Sequence, residues 1–462
     1  MNLYDAELTV VDLPMDVGAD MVAAFDYAGD DYLLVLRQHS LRSPDFRVRV
    51  QGEDGKLREV EVPAPQTYRG LVLDHQGSQA AVSLVPGGIQ AQIRMADGQM
   101  IFVEPLSKVD PEAAPDLHVV YTAENVVEGD WRCGNDDFAM GGEGEFADPH
   151  LASNIGDSYQ DPTADPNMLC EIAFDADYEF YGKNGNSVPN TVADIEAVLN
   201  DVDAIYDADV DVVYEITEII VRSSSNDPYT TSDPEGLLTQ FRNEWNNNQR
   251  GVQRDIAHMM TGRNLSGSVI GIAYLSVICS GSTGYGLSES RFSSSMYQRA
   301  GLTAHELGHN WSAGHCSGSS CYIMCPSLGG CGRHLDYFGT QAINSITRHR
   351  DSRNCLEEAY DFRLDVSPLF AGQNADFDIS AGAPNSSVAV YYSVFGTGNC
   401  YVANLDVTLN LDRCKEGLTG VTDSNGDAHW TTRIPNVKTP RVIWIHAGMF
   451  QATSNEVTAQ IN

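Results

Sequence analysis

The most restrictive feature of the chain is the run TAHELGHNWSAGHC at residues 303–316. His305 and His309 are four residues apart, and residues at that spacing lie on the same face of an α-helix. The chain must then turn back so that His315 can reach the same point. Three neutral imidazoles leave a fourth tetrahedral position open, which is typical of catalytic rather than structural zinc. The run therefore predicts a helix over about 296–310 and a zinc site held by the three histidines.

Glu306 lies one position after the first of these histidines. On a helix its carboxylate can reach a water molecule at the metal, but it is not placed to be a third helical ligand. A carboxylate in this position acts as a general base that takes a proton from water and passes it to a leaving amine. The sequence thus predicts a hydrolase in which zinc and Glu306 activate water together.

Charge and composition exclude several other classes of protein. The formal net charge of −36 would be repelled by nucleic acids and by anionic membranes, so neither is an expected partner. No apolar run is long enough for a membrane span, and the length of 462 residues predicts several domains. The start, MNLYDAELTVVDLP, lacks the basic and apolar regions of a signal peptide.

The ten cysteines are an even number, and they lack the CxxC pairs of structural zinc ribbons. This pattern predicts disulfides formed in an oxidising compartment, and hence a secreted protein whose signal peptide lies outside this numbering. Cys400 and Cys414 lie in the same C-terminal region and are expected to pair with each other.

Hydrophobic patterning divides the chain into four parts. Residues 1–133 show short alternating strands, and residues 134–168 form an acidic linker rich in glycine, proline and serine. Residues 169–360 alternate strands with helices, and residues 361–462 return to strands in the manner of a β-sandwich. The predicted fold class is multidomain: a β-rich prodomain, an α/β catalytic domain with a mixed twisted sheet and an active-site helix, and an all-β C-terminal sandwich.

The zinc run and the segment CYIMCP at residues 321–326 together resemble the metzincins. Within them they are most similar to the reprolysin/adamalysin branch, whose pattern is HExGHNLGxxHD followed by CIM-x-P. The resemblance implies a metzincin fold, zinc endopeptidase activity and a protein or peptide substrate. It also implies that Met324 is the Met-turn residue, an apolar floor beneath the three histidines.

Two positions depart from the family pattern. Ser312 stands where the family has glycine at the turn, and Cys316 stands where the branch has aspartate. If the turn needs a left-handed backbone, serine costs roughly 1–2 kcal/mol there. Neither change affects a predicted zinc ligand or the predicted base.

The resemblance extends upstream. RDIAHMMTG at residues 254–262 is similar to the family's DxAxLxTG strand, which makes His258 a sheet residue rather than a ligand. SVIGIAYLS at residues 268–276 would lead to the edge strand on which metzincins pair an extended substrate. His334 and Asp336 lie in the loop that shapes the specificity pocket and are interpreted as loop residues.

The resemblance further implies a disulfide between Cys279 and Cys355. It implies a calcium site as well, for which the candidate ligands are Glu171, Asp255 and Glu358. The loop after the zinc run contains four more cysteines whose pairing the sequence leaves open: Cys316, Cys321, Cys325 and Cys331.

Residues 68–106 resemble a reprolysin propeptide, and such propeptides end in a cysteine switch. The candidate is Cys133, whose thiolate would occupy the open zinc position in a latent form. The alternative is a disulfide between Cys133 and Cys170. No lysine or arginine lies between Cys133 and Lys183, so we predict removal of residues 1 to about 165 by autolysis or by a protease that needs no basic residue.

The hypotheses for function differ in class. The first is a secreted zinc endopeptidase, monomeric and made as a latent zymogen. The alternative is a catalytically silent metzincin-fold binding or adhesion protein, in which the C-terminal domain, similar to Ig-like sandwiches of secreted bacterial enzymes, carries the function. A third is a zinc hydrolase that acts on something other than protein. The presence of Glu306 with all three histidines favours the enzyme.

Overall fold

The computed structural model describes most of the chain, apart from several short gaps and one long gap. It covers residues 3–13, 20–75, 78–127, 129, 131–136, 167–328, 331, 334–359, 362–380, 382–383, 385–423, 426–437, 439–450, 452–455 and 457–461. The side chains of Asp20, Pro44, Asp136 and Glu358 are outside this description. The first compact unit holds the described residues of 1–154 and 168–357, and the second holds Asn167 and those of 358–462. The protein is rich in strands, has several sheets and has few helices.

The described part of the N-terminal region consists mainly of strands. They are β1 (Glu7–Val10), β2 (Asp20–Tyr27), β3 (Asp30–Gln38), β4 (Arg42–Gln51), β5 (Leu57–Val60), β6 (Thr67–Val72), β7 (Gln79–Val85), β8 (Gly88–Arg94), β9 (Met100–Pro105), β10 (Leu117–Thr122) and β11 (Arg132–Cys133). Eight of them form one antiparallel sheet in the order β1-β10-β9-β8-β7-β6-β3-β2. Buried and partly exposed residues alternate along β3. Tyr32, Leu34 and Leu36 face the core, and the residues between them are partly exposed, as expected for a strand with one face on the core.

Strands and helices alternate in the next part of the chain. The strands are β12 (Met168–Ala176), β13 (Val212–Arg222), β14 (Ile256–Met260), β15 (Val269–Ala273), β16 (Tyr285–Ser288) and β17 (Glu357–Glu358), and the helices are α1 (Tyr178–Lys183), α2 (Val188–Val210), α3 (Pro234–Asn248), α4 (Met296–Asn310) and α5 (Thr340–Asp351). Helices α2 and α3 begin where Ser187 and Asp233 accept hydrogen bonds from backbone N–H groups of the first turn. The predicted helix over 296–310 is confirmed as α4.

The main sheet of this part contains strands from the N-terminal region. Its order is β11-β15-β16-β14-β12-β13-β4-β5, with β17 paired to β12. Strand β4 runs parallel to β13, and β11 runs parallel to β15 at the opposite end. Strand β15 is antiparallel to β16. The N-terminal and α/β regions therefore share one sheet, whereas the sequence assigned β4 and β5 to the N-terminal part alone. The boundary at residue 133 stays a prediction.

Ion pairs also join the two regions. Arginines from the N-terminal strands meet buried carboxylates on α2 and β13: Arg42–Glu196, Arg47–Glu218, Arg49–Glu218, Arg69–Asp203 and Arg94–Asp209. The Glu218 side chain is 1% exposed and accepts from two arginines. Removal of one partner would leave a buried charge uncompensated, which is strongly destabilising.

The largest core of the first unit lies between α2, α4 and the main sheet. The predicted apolar face of α2 is confirmed: Val192, Ile195, Val198, Leu199 and Val202 are at most 2% exposed. They pack in one cluster with apolar residues of β12, β13 and α4. This packing anchors α4, all of whose residues are buried.

The second unit is made of strands. They are β18 (Arg363–Val366), β19 (Asn374–Ser380), β20 (Ser387–Ser393), β21 (Asn399–Val402), β22 (Val407–Asn410), β23 (Lys415–Val421), β24 (Ala428–Arg433), β25 (Arg441–Met449), β26 (Ala452–Thr453) and β27 (Val457–Ile461). One sheet has the order β18-β19-β24, another has the order β23-β20-β25-β26 with β27 beside β25, and β21 pairs with β22. The first two sheets share a core that includes Leu364, Phe377, Val390 and Ile445. The Ig-like assignment stays a prediction.

Within the described residues, no helix has the length and apolar character needed to cross a membrane.

Candidate metal centre

Helix α4 presents two imidazoles on one face. The Nε2 atoms of His305 and His309 are 3.1 Å apart. The Nδ1 atom of His305 lies 2.6 Å from the carbonyl oxygen of Ile323, and that of His309 lies 2.7 Å from the carbonyl oxygen of Ala313. Because a carbonyl oxygen only accepts, each Nδ1 carries the proton and each Nε2 keeps its lone pair for a metal.

His315 returns to the same point after the helix ends. Its Nε2 atom is 3.1 Å from that of His305 and 3.2 Å from that of His309. The return begins where the N–H of Ala313 donates to the carbonyl of Gly308 at 2.8 Å, which bends the chain back beside the last turn. The structure thus brings the three predicted ligands together, and their donor set of three imidazole nitrogens fits zinc.

Ser312 occupies the bend with φ = 83°, so the left-handed backbone considered from the sequence is present. Its hydroxyl accepts a hydrogen bond from Ser276 at 2.8 Å. Because this bond is exposed, it offsets only a small part of the strain.

We expect Ser312→Gly to stabilise the protein by about 0.5–1 kcal/mol, because glycine adopts positive φ without steric cost. Ser312→Ala is the matched control, since it removes the same hydroxyl but keeps the Cβ atom. Chemical denaturation of the three proteins measures the difference. An alanine variant as stable as the glycine variant would contradict the assignment of strain to this position.

Glu306 is fully buried beside the histidines. Its Oε2 atom is 3.5 Å from the Cys133 sulfur, and Oε1 has no hydrogen-bond partner among the described atoms. Burial raises the pKa of this carboxyl group well above its usual value. Strand β15 passes so close that a Cβ atom at Gly271 would lie 2.3 Å from Oε1. Strand β15 therefore needs glycine there for the carboxylate to face the metal position.

Met324 lies below the helix. It is fully buried, and a Cβ atom placed at Gly308 would come within 2.6 Å of its sulfur. The glycine of the HELGH run therefore lets the methionine approach the helix between the two ligand histidines. This contact is the one expected of an apolar floor.

Cys133 reaches the centre from the N-terminal region. Its sulfur is 3.5 Å from Nε2 of His309, and the sulfur with the three imidazole nitrogens forms a group that could hold a metal ion. Cys133 pairs with Gly271 of β15, and its N–H donates to the carbonyl of Pro326 at 3.1 Å. The segment that carries the thiol therefore lies between strand β15 and the residues that follow Met324.

A cleft continues beside the histidines. It is small, and its lining includes the apolar residues Ile270, Leu302 and Leu328 together with Cys133 and His305.

Comparison with known proteins agrees with this geometry. Residues 167–346 match the reprolysin model of metallopeptidase family M12. Over these residues the chain resembles the M12 metallopeptidases. The zinc metalloproteinase-disintegrin-like protein atragin from Naja atra is 24% identical over 301 residues, or 63% of this chain. Those residues are 47% of atragin, so the chain spans about half the length of this curated relative. The M12-like segment, residues 167–346, contains all three histidines, and metallopeptidases of this family use zinc.

The calcium candidates are only partly brought together. A carboxylate oxygen of Asp255 accepts the backbone N–H of Glu171 at 2.9 Å. The carboxylate of Glu171 instead accepts from Gln253 at 2.8 Å. Burial, with Glu171 and Glu357 nearby, raises the pKa of Asp255 to about 6. The side chain of Glu358 is outside the described residues, so the calcium site stays a prediction.

Three residues that were not expected to bind the metal lie outside the metal centre: His258, His334 and Asp336. His258 is fully buried in β14, where its Nε2 atom is 2.9 Å from the Ser288 hydroxyl, and burial lowers its pKa to about 3. Nδ1 of His334 is 3.2 Å from a carboxylate oxygen of Asp336. None of the three belongs to either of the two groups of possible metal ligands found among the described residues.

Disulfides form between the cysteines as follows: Cys279–Cys355, Cys316–Cys321, Cys325–Cys331 and Cys400–Cys414. The first and last pairs were predicted and are confirmed. The middle two were left open by the sequence, and they hold the loop after the zinc run. The alternative Cys133–Cys170 disulfide is wrong, because both residues are buried free cysteines and Cys170 lies inside the core at β12.

Two residues that support the centre were missed from the sequence. Gly271 interrupts the apolar strand VIGIA, and a glycine inside a strand is a signal of close approach by another group. Glu104 belongs to the N-terminal sheet, yet its carboxylate accepts the N–H of Met296, the first residue of α4, at 3.0 Å. No pattern in the sequence links those two positions.

Proposed function

We propose that this protein is a zinc-dependent endopeptidase. The observation that carries the proposal is the convergence of three Nε2 atoms within 3.1–3.2 Å of one another, with the Glu306 carboxylate beside them. His305, His309 and His315 would hold the ion. The resemblance of residues 167–346 to the M12 metallopeptidases supports the same reaction class.

The chain's own groups account for the remaining steps of hydrolysis. When bound, zinc would supply a Lewis acid that polarises the scissile carbonyl and acidifies water. Glu306 accepts the proton of the attacking water and delivers it to the leaving nitrogen. Once residues 131–133 have left, strand β15 would offer its backbone groups to an extended peptide, and the apolar residues Ile270, Leu302 and Leu328 would contact one of its side chains.

A test of this proposal combines metal content with activity. We expect about one zinc ion per chain in protein freed of its N-terminal region, and in that protein we expect a chelator to abolish peptide hydrolysis and added zinc to restore it. His309→Ala should lose both the metal and the activity, because two imidazoles hold zinc far more weakly. His429→Ala, at an exposed histidine of the second unit, is the control. Zinc-free protein that hydrolyses peptides at the wild-type rate would overturn the assignment.

We also propose that the full chain is a latent zymogen in which Cys133 occupies the fourth ligand position. Residues 131–133 form hydrogen bonds with backbone groups that an extended substrate would need for its own hydrogen bonds. The N–H of Arg132 donates to the carbonyl of Ser268 at 3.0 Å, and the carbonyl of Trp131 accepts from Leu328 at 3.0 Å. Because the segment is hydrogen-bonded to the chain on both sides of it, we expect it to block an extended peptide while it remains.

Activation is expected to follow cleavage that needs no basic residue, since none lies between Cys133 and Lys183. N-terminal sequencing of active protein should find a start near residue 165, after a residue other than arginine or lysine. Glu306→Gln protein kept under the same conditions is the control, because autolysis requires the base. A mature start directly after an arginine would contradict this prediction.

Secretion and a monomeric state complete the proposal. The disulfides among the described residues support an oxidising compartment. If a chain freed of its N-terminal region binds zinc but cleaves no protein or peptide, the alternative of a catalytically silent binding or adhesion protein becomes the better reading.

A further inference from the structure

The active-site helix has an unusual beginning. Ser295 precedes α4 with extended backbone angles, as an N-cap residue should, yet its side chain makes no capping hydrogen bond to the helix. A serine at this position normally accepts an N–H of the first turn, and loss of that bond destabilises a helix. The Ser295 hydroxyl is instead 2.9 Å from the hydroxyl of Tyr121, a residue of β10.

A carboxylate of the N-terminal region takes the place of the missing cap. The Oε1 atom of Glu104 accepts the N–H of Met296 at 3.0 Å and the hydroxyl of Tyr121 at 2.5 Å. The other oxygen of Glu104 accepts from Lys108 at 2.7 Å. A negative charge at this end also interacts favourably with the helix dipole.

The Glu104 contact is buried and its charge is compensated, which distinguishes it from a chance surface contact. The Glu104 side chain is 1% exposed, and its charge is compensated by Lys108, which also donates to Gln90 at 2.6 Å. A buried carboxylate without such partners would be strongly disfavoured. Tyr121, the residue that holds Ser295 away from the helix, belongs to the same network and to the same N-terminal sheet.

We propose that the active-site helix changes its cap when the N-terminal region leaves. In the uncut chain Glu104 caps α4 and Ser295 is held by Tyr121. Release removes Glu104 and Tyr121 together, and the freed Ser295 hydroxyl then accepts the first-turn N–H groups. Glu104 and Ser295 are thus positioning residues for the helix that carries His305, Glu306 and His309, each in a different form of the protein. The inference rests on the proposed release of the N-terminal region.

Amide hydrogen exchange in the first turn of α4, measured by mass spectrometry, tests whether the capping residue changes. A recognition sequence for a site-specific protease is placed within residues 137–166, so that the chain is cut and the N-terminal fragment removed without autolysis. In the uncut chain, Glu104→Gln should speed exchange about threefold to tenfold, and Ser295→Ala should leave it unchanged. Glu112→Gln, at an exposed acid of the same region, is the control.

The cut chain should behave in the opposite way. There Ser295→Ala is expected to speed first-turn exchange about threefold to tenfold, whereas Ser295→Asp, another good cap, should match the wild type. In the uncut chain Ser295→Asp places a second carboxylate against Glu104, so exchange should rise and should fall again when Glu104→Gln is added.

Two results would overturn the proposal. One is an equal effect of Ser295→Ala in the cut and uncut chains, and the other is no effect of Ser295→Ala in the cut chain. Neither readout depends on peptide hydrolysis. An inactive protein that shows the exchange of caps would therefore refute the proposed enzyme function and leave this inference standing.

Discussion

Glu306→Gln is expected to slow peptide hydrolysis by about 10²–10⁴-fold in chain freed of its N-terminal region. The substitution keeps the shape of the side chain but removes its ability to accept the proton of the attacking water. Glu306 lies beside the three imidazoles, with its Oε2 atom 3.5 Å from the Cys133 sulfur, and the lack of a Cβ atom at Gly271 leaves room for its carboxylate.

The measurement is the rate of cleavage of an unstructured protein substrate, with the products identified by mass spectrometry. Zinc content should remain at the wild-type level, because Glu306 is not a predicted ligand. Glu235→Gln, at an exposed glutamate in the first turn of α3, is the matched control and should cleave at the wild-type rate. Cleavage by the Glu306→Gln protein within about threefold of wild type would refute the proposed mechanism.

Cys133→Ser in the full uncut chain is expected to raise peptide hydrolysis at least about tenfold over the uncut wild type. Zinc binds a thiolate far better than a hydroxyl, so the substitution frees the fourth ligand position. Full activity is not expected, since the hydrogen bonds of Arg132 and Trp131 to the walls of the cleft remain. The gain should come from the uncut protein, which electrophoresis before and after the assay verifies.

Cys170→Ser is the matched control for this second prediction. Cys170 is the other free cysteine, but it lies in the core of β12 and burial raises the pKa of its thiol well above the usual value. Its replacement should leave latency unchanged. If the Cys133→Ser chain is as inactive as the wild type before cleavage, latency depends on the backbone of residues 131–133 or on another contact, and the thiol is not the switch.

The convergence of the three histidines was predictable because it is local. His305 and His309 are one helical turn apart, and His315 follows after a bend whose strain at Ser312 was also predictable from the residue type. The apolar face of α2 and the Cys279–Cys355 pair were likewise found from pattern or resemblance. In each case the information lies in spacing along a short segment or in a pattern shared with a known family.

The sharing of one sheet by two regions was not predictable. The alternation in β4 marks it as a strand, but alternation carries no information about which strand it joins. Arg47 and Arg49 of β4 donate hydrogen bonds to Glu218, which is more than 160 residues away in the chain, and only the fold brings these side chains together. Depth of burial, rather than residue type, then makes those pairs stabilising or costly.

By itself, the sequence determined the histidine run with Glu306 on one helix, the methionine that packs against that helix and the division into strand-rich and mixed regions, because these features depend on local periodicity and residue chemistry. Only the tertiary structure decided that the segment carrying Cys133 lies in the cleft, that the disulfide to Cys170 does not form, and that Glu104 caps the active-site helix. These contacts join residues far apart in the chain, and their energies arise from burial and geometry that exist only after the sheets have packed.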